Sequence, residues 1–289
     1  MSQQISNKIA KFGQLNPTAE RYLGALFTTK GMFSVTLIVV LGGLALAAPL
    51  LFPEGYDVQT RDSLLPPSFA HPFGTDELGR DIFVRAVFGL RVDLSLIFTA
   101  VVACMAIGTV LGLLGAVSQF LGTFIQRVLD IIAGFPGLIL GICIVIVVGP
   151  GWTALAIAIT IAGLPGFGRL SRAVLLAQLQ REYVIAAQTL GVSRWTIMMR
   201  HILPNAVEPV LVQASIFVVA AIFIEAGLSI VGLGLQPPEP SIGILLNQGM
   251  RYITRAPFYL VGPMVVLMLL ALSFAMLADA LNQVGRRNR

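Results

Sequence analysis

Residues Gln180–Asn205 read QREYVIAAQTLGVSRWTIMMRHILPN, a stretch too polar to cross a membrane yet periodic along its whole length. In its first half Tyr183, Ala186, Ala187 and Leu190 fall at i, i+3, i+4 and i+7, one face of an α-helix. Gly191 follows, the residue type that most readily takes positive φ at a helix end. Ser193 is placed to cap a second helix, in which Trp195, Met198, Met199 and Ile202 repeat the spacing until Pro204 ends it. The spacing predicts two short amphipathic helices meeting at a glycine turn. Periodicity alone leaves a second reading open, a connector lying flat on the lipid surface with Arg181, Arg194 and Arg200 toward the headgroups.

Outward from this hairpin the chain is apolar. Its 289 residues are 56% hydrophobic and 11% charged, with a mean hydropathy of +0.87, whereas a soluble domain carries roughly 25% charged residues. A hydrocarbon layer of ~30 Å takes about 20 helical residues to cross. Runs of that length lie at Met32–Phe52, Leu94–Val117, Val128–Val148, Trp152–Leu170, Val207–Leu235 and Phe258–Leu281. The expected fold is all-α and polytopic, about six transmembrane helices with both termini on one side. Residues 1–92 are read as a tail, the first transmembrane helix and an external loop, and 93–289 as a transmembrane core carrying the hairpin 180–205. The first apolar run is read as a retained helix although Ala45-Leu46-Ala47 resembles a cleavage site, because it follows a long polar lead and exceeds a signal h-region of ~7–15 residues. Cys104 and Cys143 fall inside spans and read as apolar filler.

A net charge of +5 and a pI near 9.6 do not indicate nucleic acid, since the basic residues form no patch and cluster at helix ends. They report topology. With the N-terminus cytoplasmic, thirteen of the nineteen Lys and Arg residues lie inside and six outside, namely Arg61, Arg80, Arg85, Arg91, Arg251 and Arg255; the positive-inside rule then favours N-in, C-in. His71 and His201 fall on opposite faces of the membrane, which excludes a zinc site or a histidine triad built from them. The lysines are Lys8, Lys11 and Lys30, none within a GxxxxGK[ST] phosphate loop, so ATP would have to be bound by a partner.

The external segment Pro53–Val92 holds six acids and four arginines, and Pro53, Pro66, Pro67 and Pro72 make its first half irregular. Asp76–Arg91 lacks proline and reads as an amphipathic helix with Thr75 as N-cap, its apolar stripe of Phe83, Ala86, Val87 and Leu90 either lying on the membrane or, the preferred reading, packing against other helices. In the second span Gly108 and Gly112 form a small-xxx-small face. Pro136 and Pro165 are expected to bend the third and fourth helices, and Glu225 is the deepest intramembrane acid; these three are the candidate pathway or gate residues. Asp130 and Asp279, near inner helix ends, are expected to pair with Arg127 or with an arginine of the hairpin.

In the hairpin, Glu182, Ala186-Ala187, Gly191 and Ile202-Leu203-Pro204 resemble the Glu-Ala-Ala, three residues, Gly, about nine residues, Ile/Leu-Pro pattern of the inner-membrane permeases of ABC importers. His71–Asp81, HPFGTDELGRD, is similar to a stretch of the dipeptide, oligopeptide and nickel permeases, in particular their second permease subunit. Gly232–Gly243, GLGLQPPEPSIG, is close to that branch's GLGxQPPxPSWG, with Ile242 where the branch usually has tryptophan. The resemblance implies a type I importer permease fold in a prokaryotic plasma membrane, without catalysis or a cofactor of its own. It implies a homologous second permease, two ABC ATPase subunits carrying ATP and Mg, and an external solute-binding protein delivering peptides or a related small solute. It further implies that Glu182, Tyr183, Ala186, Ala187, Leu190, Gly191, Arg194 and Pro204 dock on the ATPase as a coupling helix. The rival reading is a secondary transporter or channel not powered by ATP; it predicts inverted repeats and a cluster of membrane carboxylates, and neither is evident in the sequence.

Overall fold

The structure, a computed structural model, describes residues 23–115, 118–198 and 203–286. Ten helices follow one another in the described chain: α1 Thr29–Leu51, α2 Ile82–Leu114, α3 Gln119–Ala133, α4 Gly137–Val148, α5 Trp152–Leu179, α6 Glu182–Thr189, α7 Arg194–Ile197, α8 Leu203–Ile230, α9 Ile242–Arg251 and α10 Pro257–Arg286. Five of them are long and apolar enough to cross a membrane, and the pair α3 and α4 makes a sixth if it counts as one span. The all-α polytopic expectation holds.

Two elements differ from the sequence reading. Asp76–Arg91 does not form a separate amphipathic helix capped by Thr75. Residues 76–80 turn instead, with Gly74 at φ 80° and Gly79 at φ 72°, and the Asp76 carboxylate accepts from the amides of Leu78 and Arg80. Helix α2 starts at Ile82 with Asp81 as its N-cap, accepting from the Val84 amide at 3.0 Å. It then runs unbroken for 33 residues, about 50 Å at 1.5 Å per residue, longer than a hydrocarbon layer of ~30 Å requires. Ala86, Val87 and Leu90 are buried there, as the packing reading of that stripe expected.

The second difference is at Pro136. A single bent helix over Val128–Val148 was expected; the chain begins its helix nine residues earlier, at Gln119, and breaks into two segments at 95°. Proline has no N–H to donate and collides with the carbonyl four residues back, and it drives its preceding residue, Phe135, from helical dihedrals. Pro136 becomes the residue that precedes α4. Pro165, by contrast, stays within the continuous α5.

The core lies where α2, α5, α8, α9 and α10 meet, around Leu90, Leu96, Ala100, Leu155, Ile159, Ile222, Leu245, Tyr259 and Leu270. Large apolar side chains such as Val39, Leu46, Phe98, Phe223 and Met268 face outward, as lipid-facing surfaces do. Helices α2 and α5 approach along the glycine seam. A Cβ at Gly108 would meet Phe167 Cβ at 2.7 Å, and one at Gly112 would meet the Gly168 carbonyl oxygen at 2.5 Å and Ser171 Cβ at 2.8 Å. Backbone cannot yield as a flexible side chain does. Gly112→Val is therefore expected to abolish recovery of folded protein from membranes, with Gly24→Val, where a Cβ meets nothing within 4 Å, as the neutral control; equal monodisperse yield of both would refute the seam.

Asp279 pairs with Lys30 at 3.0 Å, tying α10 to α1. That corrects the expected arginine partner. Asp130 is exposed and has no ion pair among the described residues: Arg127 lies three positions before it on α3, yet the two stay unpaired in open surroundings, where an ion pair is worth little.

Candidate functional site

The hairpin forms as a glycine turn between α6 and α7. Glu182 opens α6, where a carboxylate favours the helix N-terminus. Gly191 takes φ 78°, its amide donating to the Gln188 carbonyl while the Val192 amide reaches back to Ala187. These bonds satisfy carbonyls that the end of α6 leaves free. Ser193 Oγ accepts from the Thr196 amide at 3.2 Å, capping α7. Met199–Ile202, including Arg200 and His201, lie outside the described residues, as do the side chains of Arg194, Trp195 and Pro204. Pro204 falls in the first turn of α8, a position where its missing N–H costs nothing.

The four-residue apolar stripe splits. Val184 and part of Ala187 turn inward onto Leu113, Leu175, Ile197 and Met198, fixing the hairpin to the C-terminal ends of α2 and α5. Tyr183, Ala186 and Leu190 face away, Leu190 being 83% exposed. Ala187 is half-buried against the cluster below, since α6 has only eight residues and one side of it closes over that cluster.

Before the N-terminus of α2 the stretch His71–Asp81 is a cross-linked turn. His71 Nδ1 and Asp81 Oδ2 lie 2.8 Å apart. Asp76, fully buried, receives Arg80 Nε at 2.7 Å and Arg85 Nη1 at 2.5 Å, and Arg80 also reaches Asp57 at 2.9 Å. Burial pulls the Arg80 guanidinium down, but the hydrogen bonds and charges of Asp57 and Asp76 outweigh it and hold the group above its ordinary value. Thr75, expected as a cap, instead bonds the Asp62 carbonyl and accepts from the Leu65 amide, closing the loop.

A polar cluster lies inside the bundle. Glu225 of α8 is buried and accepts from Ser229 Oγ at 2.8 Å. Asp93 of α2, also buried, accepts from the Ile242 amide at 2.9 Å. Asp93 escaped the sequence reading because it sits one residue beyond the external segment and one before an apolar run; its signal was Gly89, four positions earlier on the same helix face. Ile242 is wholly buried at the start of α9, filling the position that the resembling branch gives to tryptophan. The three pathway candidates do not form one feature. Pro165 is buried in α5, Pro136 is exposed at the break, and a Cβ at the adjacent Gly137 would meet Ile224 at 3.6 Å, so the break abuts α8 next to Glu225 without meeting its carboxyl.

Residues 108–287 match the family model described as "Binding-protein-dependent transport system inner membrane component". The chain is 37% identical over 253 residues to the dipeptide transport system permease protein DppC of Alkalihalophilus pseudofirmus, covering 87% of this chain and 82% of that one. It is 37% identical over 216 residues to the glutathione transport system permease protein GsiD of Pectobacterium atrosepticum, covering 74% and 72%. Among solved structures, a MetNI methionine ABC transporter in an inward-facing conformation aligns with a TM-score of 0.57 at 19% identity, over 70% of this chain and 97% of that one. At that identity the alignment shows a shared fold and nothing finer.

Proposed function

The chain belongs to the family of binding-protein-dependent transport system inner membrane components, and on that premise we propose that it forms half of a translocation pathway for peptides. As a permease of a binding-protein-dependent ABC importer it is a non-catalytic, multi-pass inner-membrane subunit, and ATP is used by partner ATPases. Family membership removes the secondary-transporter and channel reading. Peptides as cargo rest on the curated relatives, named for dipeptides, di/tripeptides and glutathione. Their common chemistry is a short backbone of amides with free termini. The assembly we infer contains this chain, a homologous second permease and two ATPase subunits, fed by an external solute-binding protein.

The observation that carries the mechanical part is the hairpin: a glycine-turned pair of helices whose inner side is fixed to the bundle while Tyr183, Ala186 and Leu190 stay uncovered. We read Glu182, Tyr183, Ala186, Leu190 and Gly191, with Arg194 and Pro204, as the segment that docks on the ATPase, and Ala187 as its internal support. Movement of the ATPase pair would pass through α6 to α2 and α5, whose inner ends hold Leu113 and Leu175. The test is reconstitution in liposomes. The purified chain alone should neither bind nor hydrolyse ATP; with its partners, the binding protein loaded with a dipeptide should stimulate hydrolysis several-fold and drive accumulation of that dipeptide. Saturable nucleotide binding to the isolated chain would end the division of labour.

Orientation follows from the charge asymmetry. Tags after Arg289 and within Gln180–Asn205 should be accessible only from the cytoplasm, and one within Pro53–Ser68 only from outside. Because five spans would put the termini on opposite sides, an outward C-terminal tag would mean that α3 and α4 together do not cross.

A further inference from the structure

Helix α3 has three sides of different character. Gly122, Ile125 and Leu129 are buried against the bundle. Phe120, Phe124, Val128 and Ile131 are uncovered, at 85%, 60%, 40% and 65% exposure. Gln119, Thr123, Arg127 and Asp130 are exposed as well, and at about 100° per residue the centres of the three sets lie roughly 100–140° apart. The uncovered apolar residues and the uncovered polar ones therefore occupy separate sides of one helix, and the third side holds it to the protein.

Neither hydrocarbon nor water alone suits this surface. Arg127 and Asp130 have no ion pair among the described residues, and a charged side chain at the bilayer centre costs on the order of 2.5–3.5 kcal/mol. In water, Phe120, Phe124, Val128 and Ile131 would form a contiguous apolar strip of a kind that soluble surfaces seldom carry. That strip continues past the break onto α4, where Leu138, Ile139, Ile146 and Val147 are exposed. The course of the helix points the same way. Arg172 of α5 donates to the Gly122 carbonyl at 2.9 Å, and a Cβ on Gly168 would meet Leu129 Cδ1 at 2.6 Å. From Gly122 to Leu129 the chain advances about 10 Å along α3, yet from Arg172 to Gly168 only about 6 Å along α5. Helix α3 thus crosses the spanning helix obliquely instead of running beside it.

We propose that α3 is an interfacial helix, with Phe120, Phe124, Val128 and Ile131 against the acyl chains of the bilayer and Thr123, Arg127 and Asp130 among the headgroups. This placement is independent of cargo and of ATP. The test uses the whole complex in liposomes, with Cys104 and Cys143 replaced by alanine and one nitroxide-labelled thiol introduced as Phe120→Cys, Thr123→Cys, Phe124→Cys, Arg127→Cys or Ile131→Cys. All five positions are exposed, so no substitution removes a packed side chain. Relaxation of the label by oxygen, which concentrates in acyl chains, is compared with relaxation by a water-soluble nickel chelate. The ratio of the two effects should be roughly fivefold higher at Phe124→Cys and Ile131→Cys than at Thr123→Cys and Arg127→Cys, switching between the neighbours 123 and 124. A ratio that changes steadily from 120 to 131 regardless of side would mean an ordinary span. Labels at 124 and 131 reached by neither reagent would mean that a protein partner, the second permease, covers the strip. Either outcome overturns the proposal. Should Phe124→Cys fail to assemble, Phe120→Cys and Ile131→Cys against Thr123→Cys decide it.

Discussion

Asp76→Ala is expected to lower stability by about 3–5 kcal/mol, the usual cost of removing one partner of a buried ion pair. The carboxylate is fully buried and serves two guanidinium groups and two backbone amides. Arg85, itself fully buried, has no other ionic partner among the described residues, where its Nε and Nη2 are already without hydrogen bonds. Deleting Asp76 would strand that charge in the first turn of α2. Arg80 would fare better, since Asp57 remains at 2.9 Å. Asp76→Asn keeps an acceptor for the Leu78 and Arg80 amides but not the charge, so it should fall between alanine and the parent. Arg85→Met, which removes the buried cation and fills similar space, should be milder than Asp76→Ala. Thermal unfolding in detergent reads the order directly, and an Asp76→Ala midpoint equal to the parent's would refute it.

That cluster also shows where the sequence stopped being legible. Apolar runs of about 20 residues place the spans because hydrocarbon forces every backbone group into local helical bonds, and five spans appear close to their expected positions. The external segment obeys no such rule. Asp76-Glu77-Leu78-Gly79-Arg80 has the composition of a helix start, but Asp76 can bond its own downstream amides, and that local competition wins. Thr75 looked like a cap for the same reason and is spent instead on closing the loop. Pro136 was read as a bend, and the size of the bend depends on whether neighbours keep the two halves aligned, which no local rule states. Asp93 had only Gly89 on its helix face to mark it, because its partner, the Ile242 amide, is 149 residues away. The glycine seam at Gly108 and Gly112 was legible, since a small-residue repeat has one geometric consequence.

The hairpin carries the other large effect. Leu190→Asp should leave membrane insertion and folding intact, because Leu190 is 83% exposed and supports nothing in the bundle. If that side chain enters a groove on the ATPase, the substitution loses the burial of a leucine, about 1.5–3 kcal/mol, and adds an unpaired charge in a desolvated contact. A loss of ~3 kcal/mol weakens association by roughly two orders of magnitude, enough to abolish copurification of the ATPase. Gly191→Val acts differently: a Cβ there meets nothing within 4 Å, but φ 78° is strained for a β-branched residue, at a cost of roughly 1–3 kcal/mol. It should loosen the turn and reduce coupling without removing a contact. Ala187→Asp is the internal control, since it drives a charge toward Val184 and Leu175 and should lower the stability of the chain itself. A hairpin that merely lies on lipid predicts another pattern, in which Leu190→Asp frees it from the bilayer surface while the ATPase still copurifies. Normal assembly and normal uptake in both Leu190→Asp and Gly191→Val would rule out this segment as the joint between ATP hydrolysis and transport.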